Sequence, residues 1–343
     1  MIYLDYNATS PLLPAAFEAM APLLGAPTNP GSAHAAGRAA AAAVDKARAQ
    51  VAALVGWHRE GVIFTGGATE ANATALHFGR WKVSAVEHPS VLAWSDHTLP
   101  VDDEGRVLLA PLAEPGAFDG FTGLSVMLAN NETGVLQPIA ELAVLARRAG
   151  VLLHVDASQG PGRVPMRFEA DLVTLSAHKF GGPQGVGALL VRAGREVAPL
   201  LRGGSQERGQ RAGTLNVAGI VGMGAAAITV FGAASPARRD RLERALVALG
   251  GRVAGAGADR LPNTSCVGFE GIDAGDLVMA LDLEGVAVSV GSACASGSAE
   301  PSHVLRAMGF PGSAVRFSLG PRTTDAEVDA AAAAVARILA RVQ

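Results

Sequence analysis

The residue with the most chemical promise is Lys179. It sits in Ser176-Ala177-His178-Lys179, just after the apolar run 171–175 and just before Phe180-Gly181-Gly182-Pro183. Small residues and glycines surround it, where a surface lysine would have charged neighbours. A lysine held in a tight, partly desolvated turn can lose its proton near neutral pH and attack a carbonyl. Asp156 ends the apolar run 152–155. A buried acid there needs a partner, which a protonated ring nitrogen would supply, unless it simply caps a helix over 156–159. Gln159 follows three residues on, placed to donate to a ring oxygen. Thr65-Gly66-Gly67-Ala68-Thr69 follows a strand and opens a helix, so its glycines and free N–H groups suit an anion. Ser176 and His178 are placed to add contacts to that anion. His88, in Val86-Glu87-His88-Pro89-Ser90, can stack on a flat ring and move protons, although a lone loop histidine is also commonly just solvated. Arg316 alternates with apolar residues in a strand, which suits either a cleft that grips a carboxylate or a strand-edge ion pair. Cys294 lies in a run of small residues, 290–299, where a thiol is either reactive or an inert neighbour of a helix start.

These groups answer the needs of one cofactor. Pyridoxal 5'-phosphate presents an aldehyde, a phosphate, a pyridine nitrogen and a ring face, and each has a candidate here. A nucleotide-dependent oxidoreductase is suggested only by Gly66-Gly67, without the full glycine fingerprint or a ribose-binding acid.

The elements that must position these residues are strands and helices in alternation. Continuously apolar runs at 61–65, 82–86, 124–128, 151–155, 172–175 and 187–191 read as strands covered on both faces. Helical patterns over 33–55 and 139–149 lie between them. Such alternation predicts an α/β domain on a mostly parallel sheet. Polar loops follow several strands, and in open parallel sheets ligands bind beyond the carboxyl ends. The pattern changes near residue 235. Helices over 237–249 and 274–284, strands at 264–269, 286–289 and 314–318, a short helix from 301 and a last helix over 325–342 predict a smaller α+β domain. The division expected is 15–235 for the large cofactor-binding domain and 1–14 with 236–343 for the small one carrying the cysteine loop.

Composition narrows the class. The chain has 343 residues, 49% of them hydrophobic, and a formal net charge of −3, enough for a large core and without the basic balance expected of a direct nucleic-acid partner. Two cysteines, Cys266 and Cys294, cannot build a disulfide framework and suggest a reducing compartment, or chemistry at one thiol. Met1–Tyr6 has no basic region or long apolar core, so a cytoplasmic protein is the expectation. The uncharged stretch from Val217 to Ala234 is mostly glycine and alanine and reads as a buried helix packed through small residues, not a membrane span.

Taken together, the sequence resembles the cysteine desulfurases, among pyridoxal-phosphate enzymes of fold type I (aminotransferase class V). The resemblance runs nearly the full length. It is carried by Tyr3-Leu4-Asp5-Tyr6-Asn7-Ala8-Thr9, Gly67-Ala68-Thr69-Glu70-Ala71-Asn72, Glu87-His88-Pro89-Ser90 and Asn130-Asn131-Glu132-Thr133-Gly134. It continues through Asp156 with Gln159, Ser176-Ala177-His178-Lys179, Arg211-Ala212-Gly213-Thr214, Gly291-Ser292-Ala293-Cys294 and Arg316-Phe317-Ser318-Leu319-Gly320. The long small-residue loop around Cys294 is similar to the branch serving general iron–sulfur assembly and tRNA thiolation. Ser10 stands where a threonine is common.

The resemblance implies roles. Lys179 holds the cofactor, Ala68, Thr69, Ser176 and His178 surround its phosphate, Asp156 meets the ring nitrogen, Gln159 the ring oxygen, and His88 stacks on the ring. Asn131 and Arg316 bind the substrate carboxylate, and Thr214 reaches the phosphate of the neighbouring subunit of a homodimer. L-cysteine is converted to L-alanine while Cys294 takes the sulfur as a persulfide, for an iron–sulfur scaffold or a tRNA thiolation enzyme. No resident metal is implied; Cys294 is at most a transient cluster ligand. A selenocysteine lyase or other C–S lyase is the near alternative, and a catalytically silent cofactor-binding assembly partner the more distant one.

Overall fold

The computed structural model describes residues 1–230, 235–291 and 302–342. In chain order its strands are β1 (Ile2–Tyr3), β2 (Val62–Thr65), β3 (Trp81–Ser84), β4 (Thr98–Leu99), β5 (Gly123–Ser125), β6 (Leu152–Asp156) and β7 (Leu172–Ser176). They continue with β8 (Gly187–Val191), β9 (Arg252–Val253), β10 (Thr264–Gly268), β11 (Val286–Ala287), β12 (Ser289–Val290) and β13 (Val315–Ser318).

A seven-stranded sheet of order β2-β8-β7-β6-β5-β3-β4 forms the centre. β3 to β7 pair parallel, while β8 runs antiparallel to both β2 and β7. The apolar run 187–191 alone does not reveal this reversal. The link from Ser176 to Gly187 is too short for a parallel crossover with its own helix. Because β8 is reversed between them, β2 and β7 still point the same way. β2, β3, β5, β6 and β7 therefore all deliver their carboxyl ends to one edge.

Both faces of the sheet are covered. One buried cluster joins Val62, Phe64, Leu124, Val155 and Val173 to the helices Ala35–Val55, Ile139–Ala149 and Val217–Thr229. Another, with Ile63, Ala71, Leu76 and Leu189, covers the other face. The glycine-rich stretch from Val217 is the buried helix Val217–Thr229, seated on Ala35–Val55 and on the helix Pro14–Leu24. Its small residues explain the close approach: a Cβ on Gly224 would lie 2.7 Å from Ala47 Cα. Among the described residues no helix is long and apolar enough to cross a membrane.

A four-stranded sheet, β12-β13-β10-β9, carries a separate core in which Leu4 packs with Leu242, Leu277, Phe317 and Val335. β1 pairs parallel with β11, so residues 2–3 lie with the second core, against partners far away in sequence. The expected strand at 286–289 divides into β11 and β12, which join different sheets. The strands proper end at Ser84 and Ser125, although Ala85 N, Val126 N and Leu128 N still donate to Leu99 O, His154 O and Asp156 O of the neighbouring strands before the chain turns into the loops that build the site. The short helix is His303–Ala307, capped by Ser302 Oγ, which accepts from Val304 N at 3.0 Å.

Candidate active site

A cavity of about 1140 Å³ opens at the carboxyl ends of the parallel strands. Ala68, Thr69, His88, Asn131, Asp156, Gln159, Ser176, His178, Lys179 and Arg316 all line it. Thr214 does not; it is exposed on the loop 203–216. Cys294 lies outside the described residues.

Lys179 ends a single 3-10 turn, Ala177–Lys179, directly after β7. Its Nζ donates to the backbone oxygens of Asn7 at 2.6 Å and Ala8 at 2.9 Å, with no carboxylate partner among the described residues. Burial pushes its pKa down to about 8, and the nearby Arg316 and Arg163 guanidiniums push the same way. The amine thus gives up its proton far more readily than an ordinary lysine.

Asp156 is the last residue of β6. Its Oδ2 accepts from Asn72 Nδ2 at 2.8 Å and its Oδ1 from Ser158 N at 3.0 Å. No helix begins there, so Asp156 is not a cap; it is a buried carboxylate facing the cavity. Behind it, His154 bridges neighbouring strands, with Nδ1 2.8 Å from Ser125 Oγ and Nε2 3.0 Å from Thr174 Oγ1. Burial lowers its pKa to about 4, which keeps this imidazole neutral.

The turn after β2 leads into the helix Ala68–Leu76, whose N-cap is Gly67 at φ 153°. No side chain caps this helix, so its first amides keep donors for another acceptor. The turn rests on the start of β8: a Cβ on Gly187 would lie 2.7 Å from Gly67 C. His178 Nδ1 lies 3.2 Å from Thr9 Oγ1, and burial together with Lys179 holds its pKa at about 4. His88 is half-buried and not a solvated loop residue. Its Nδ1 accepts from Ser90 N at 3.1 Å, and burial holds it below the ordinary histidine pKa.

Arg316, on β13, is 1% exposed. Its two readings coexist: it lines the cavity and also forms an ion pair with Asp5, Nη2 to Oδ1 at 2.7 Å. Its Nη1 donates to Asn131 O at 3.1 Å, and its Nε is buried without a partner. Gln159 donates from Nε2 to Asn7 O at 3.0 Å.

The sequence reading gave no role to the segment that ties these groups together. Asn7 is fully buried; its Nδ2 donates to Asn131 O at 3.1 Å and Thr264 Oγ1 at 2.9 Å, and its carbonyl receives Lys179 and Gln159. Ser10 Oγ donates to Lys179 O at 2.9 Å. Asn72, Glu132, Ser302 and His303 are further site residues without an assigned role. For Asn7 the only sequence signal was its place in Tyr3–Thr9, since its partners are hundreds of positions away.

Residues 2–331 match the model of the aminotransferase class-V family. The chain belongs to that family. Members of the class are pyridoxal-phosphate enzymes of fold type I, and the site fits the cofactor. A deprotonatable amine, a buried carboxylate, an uncapped helix start with free amides and a neutral imidazole line one cavity of suitable size. Among curated relatives, a cysteine desulfurase of Cereibacter sphaeroides is 46% identical over 361 residues, covering 96% of this chain and 93% of that protein. One from Rhodobacter capsulatus is 44% identical, covering 100% of this chain and 97% of that protein. Among solved structures, a NifS-like protein superposes with a TM-score of 0.90 at 32% identity, covering 99% of each chain.

Proposed function

We propose that this class-V chain is a cysteine desulfurase: it converts L-cysteine to L-alanine and passes the sulfur, as a persulfide on Cys294, to an acceptor protein. The observation that carries the reading is the setting of Lys179, an amine with a pKa of about 8 held against two carbonyls where the strand ends converge. The desulfurases among its relatives supply the substrate class.

Lys179 would hold the cofactor through its aldehyde; Ala68, Thr69, Ser176 and His178 would hold its phosphate, with Thr214 reaching over from the second subunit of a homodimer. The exposure of Thr214, away from its own cavity, supports that role. When bound, pyridoxal phosphate draws electrons from the substrate and weakens its Cα–H and Cβ–S bonds. Asp156, oriented by Asn72 and Ser158, would hold a proton at the ring nitrogen, and Gln159 would serve the ring oxygen. His88 would stack on the ring, and burial favours its neutral, proton-accepting form. Arg316 and Asn131 orient the substrate carboxylate, and Lys179 Nζ moves the proton at Cα. Cys294 Sγ attacks the substrate sulfur; the S–S bond forms as the Cβ–S bond breaks, and the electron pair stays on Cβ, which takes up a proton. No outside oxidant is required.

The reading places the cofactor in a large domain, 15–235, and the cysteine loop in a small domain made of 1–14 with 236–343. It sets the enzyme in the cytoplasm, feeding an iron–sulfur scaffold or a tRNA thiolation enzyme. Incubation with L-cysteine, followed by intact mass and peptide mapping, tests it. One added sulfur atom on Cys294 is expected, with alanine formed. Cys294→Ser should keep the yellow cofactor and lose sulfide release. A protein that stays colourless with pyridoxal phosphate, or one that releases sulfide equally well without Cys294, would overturn the reading. Turnover of selenocysteine alone would make it a lyase.

A further inference from the structure

Glu70 is the third residue of the helix Ala68–Leu76 and lines the cavity. Its Oε2 accepts from Gly66 N at 2.7 Å and so closes the turn that leads into the helix. The closure is tight: a Cβ on Gly66 would lie 2.9 Å from that oxygen and would push the carboxylate aside. A carboxylate in this place is a liability: it sits beside the amides expected to bind a phosphate and would repel that anion. Arg211 answers the charge. Its Nε donates to Glu70 Oε1 at 2.8 Å and its Nη2 to Oε2 at 3.1 Å, with both side chains 19% exposed.

Arg211 comes from a loop tied down at considerable cost. Glu207 and Arg208 hold φ angles of 47° and 59°, the positive values found for non-glycine residues in the described chain. Glu207 is buried; Arg48 grips it through Nη2 at 2.6 Å and Nη1 at 2.7 Å, and its Oε2 accepts from Phe64 N at 2.8 Å. Arg208 Nη2 donates to Val62 O at 2.8 Å. The free edge of β2 and the turn that follows it are therefore both fastened to this one loop.

We propose that Arg211 is a positioning residue for the phosphate-binding turn: it neutralises Glu70, so that Glu70 can shape the turn at Gly66 without repelling the phosphate. The inference rests on the cofactor reading given above. The pair is held by the protein's own strained loop, so the charge is balanced before any ligand arrives.

The test compares equilibrium binding of pyridoxal phosphate and of phosphate-free pyridoxal to the full-length apoprotein, followed by absorbance and tryptophan fluorescence. Arg211→Gln should weaken pyridoxal phosphate on the order of tenfold or more and leave pyridoxal unchanged. Adding Glu70→Gln to that variant should restore the wild-type affinity, since a neutral amide can still accept from Gly66. Glu70→Gln alone, which keeps the turn and removes the charge, should bind pyridoxal phosphate at least as well as wild type; weaker binding overturns the proposal even if Arg211→Gln does not fold. Equal losses for both ligands would make Arg211 merely structural. A loss that Glu70→Gln does not recover would mean that Arg211 grips the phosphate itself. Wild-type protein that binds neither ligand would instead refute the cofactor reading.

Discussion

Lys179 Nζ donates to Asn7 O at 2.6 Å across a separation of 172 residues. The free amine thus has a fixed resting place made of backbone oxygens, and its reactivity is set first by burial and then by two arginines, which outweigh the opposing pull of Asp156 and Asp5.

The titration of this amine follows directly. Burial and the cations disfavour its charged form, so the proton leaves as pH rises through about 8, not near the ordinary 10.5. Reductive methylation of the apoprotein, read at the Lys179 peptide by mass spectrometry, should reach half its maximal rate near pH 8. Arg163→Gln removes one of the cations and should move that midpoint upward. A midpoint at 10 or above in the wild type would refute the geometry.

Glu87 imposes a different pH dependence. It is fully buried, accepts from Ser84 Oγ and Met127 N, both at 2.6 Å, and leaves Oε2 without a partner. Burial raises its pKa from 4.5 to about 8. Between these values the folded state holds a proton that the unfolded state releases, so stability falls as pH rises from 5 to 8. The loss attributable to this group is roughly 3 kcal/mol. Glu87→Gln should flatten that slope in urea unfolding measured at several pH values; an unchanged slope would show that Glu87 is ionised in the fold.

Arg316→Lys keeps the charge and loses the planar fork that serves Asp5, Asn131 and the cavity together. KM for L-cysteine should rise on the order of tenfold to a hundredfold while the cofactor absorbance is retained. An unaltered KM would place the substrate carboxylate elsewhere.

Gly320 packs against Tyr6 so closely that a Cβ would lie 1.9 Å from its ring. Gly320→Ala must push Tyr6, and with it the adjacent Asn7. A stability loss of about 2 kcal/mol is expected on thermal unfolding, together with weaker cofactor binding. Wild-type values for both would show that the 5–10 segment yields without disturbing the site.

Much of this is legible in the sequence. Lys179, Asp156 and the Gly66–Thr69 turn each sit at a strand end, and local pattern alone finds strand ends. The last helix, Asp325–Val342, and the helix Ile139–Ala149 fall where the apolar periodicity puts them. Other features were hidden because they are long-range. The reversal of β8 depends on pairing, which an apolar run does not encode. The ion pair of Arg316 with Asp5 spans 311 positions. Gln184, Gly185 and Val186 reach the cavity only because β8 starts at its rim. The roles of Glu70 and Arg211 emerge only when the 203–216 loop is folded back onto β2.

Residues 2–10 have a consequence for biosynthesis. They are made early, yet β1 lies on Val286–Ala287 and Asn7 is held by Asn263, Thr264 and Ser318. Once β8 has emerged from the ribosome, the lysine, the acid and the glycine turn are all outside it, but the strap that joins them still has nothing to rest on. A chain that ends before residue 286 would therefore carry the strands of the large sheet but an unfinished pocket.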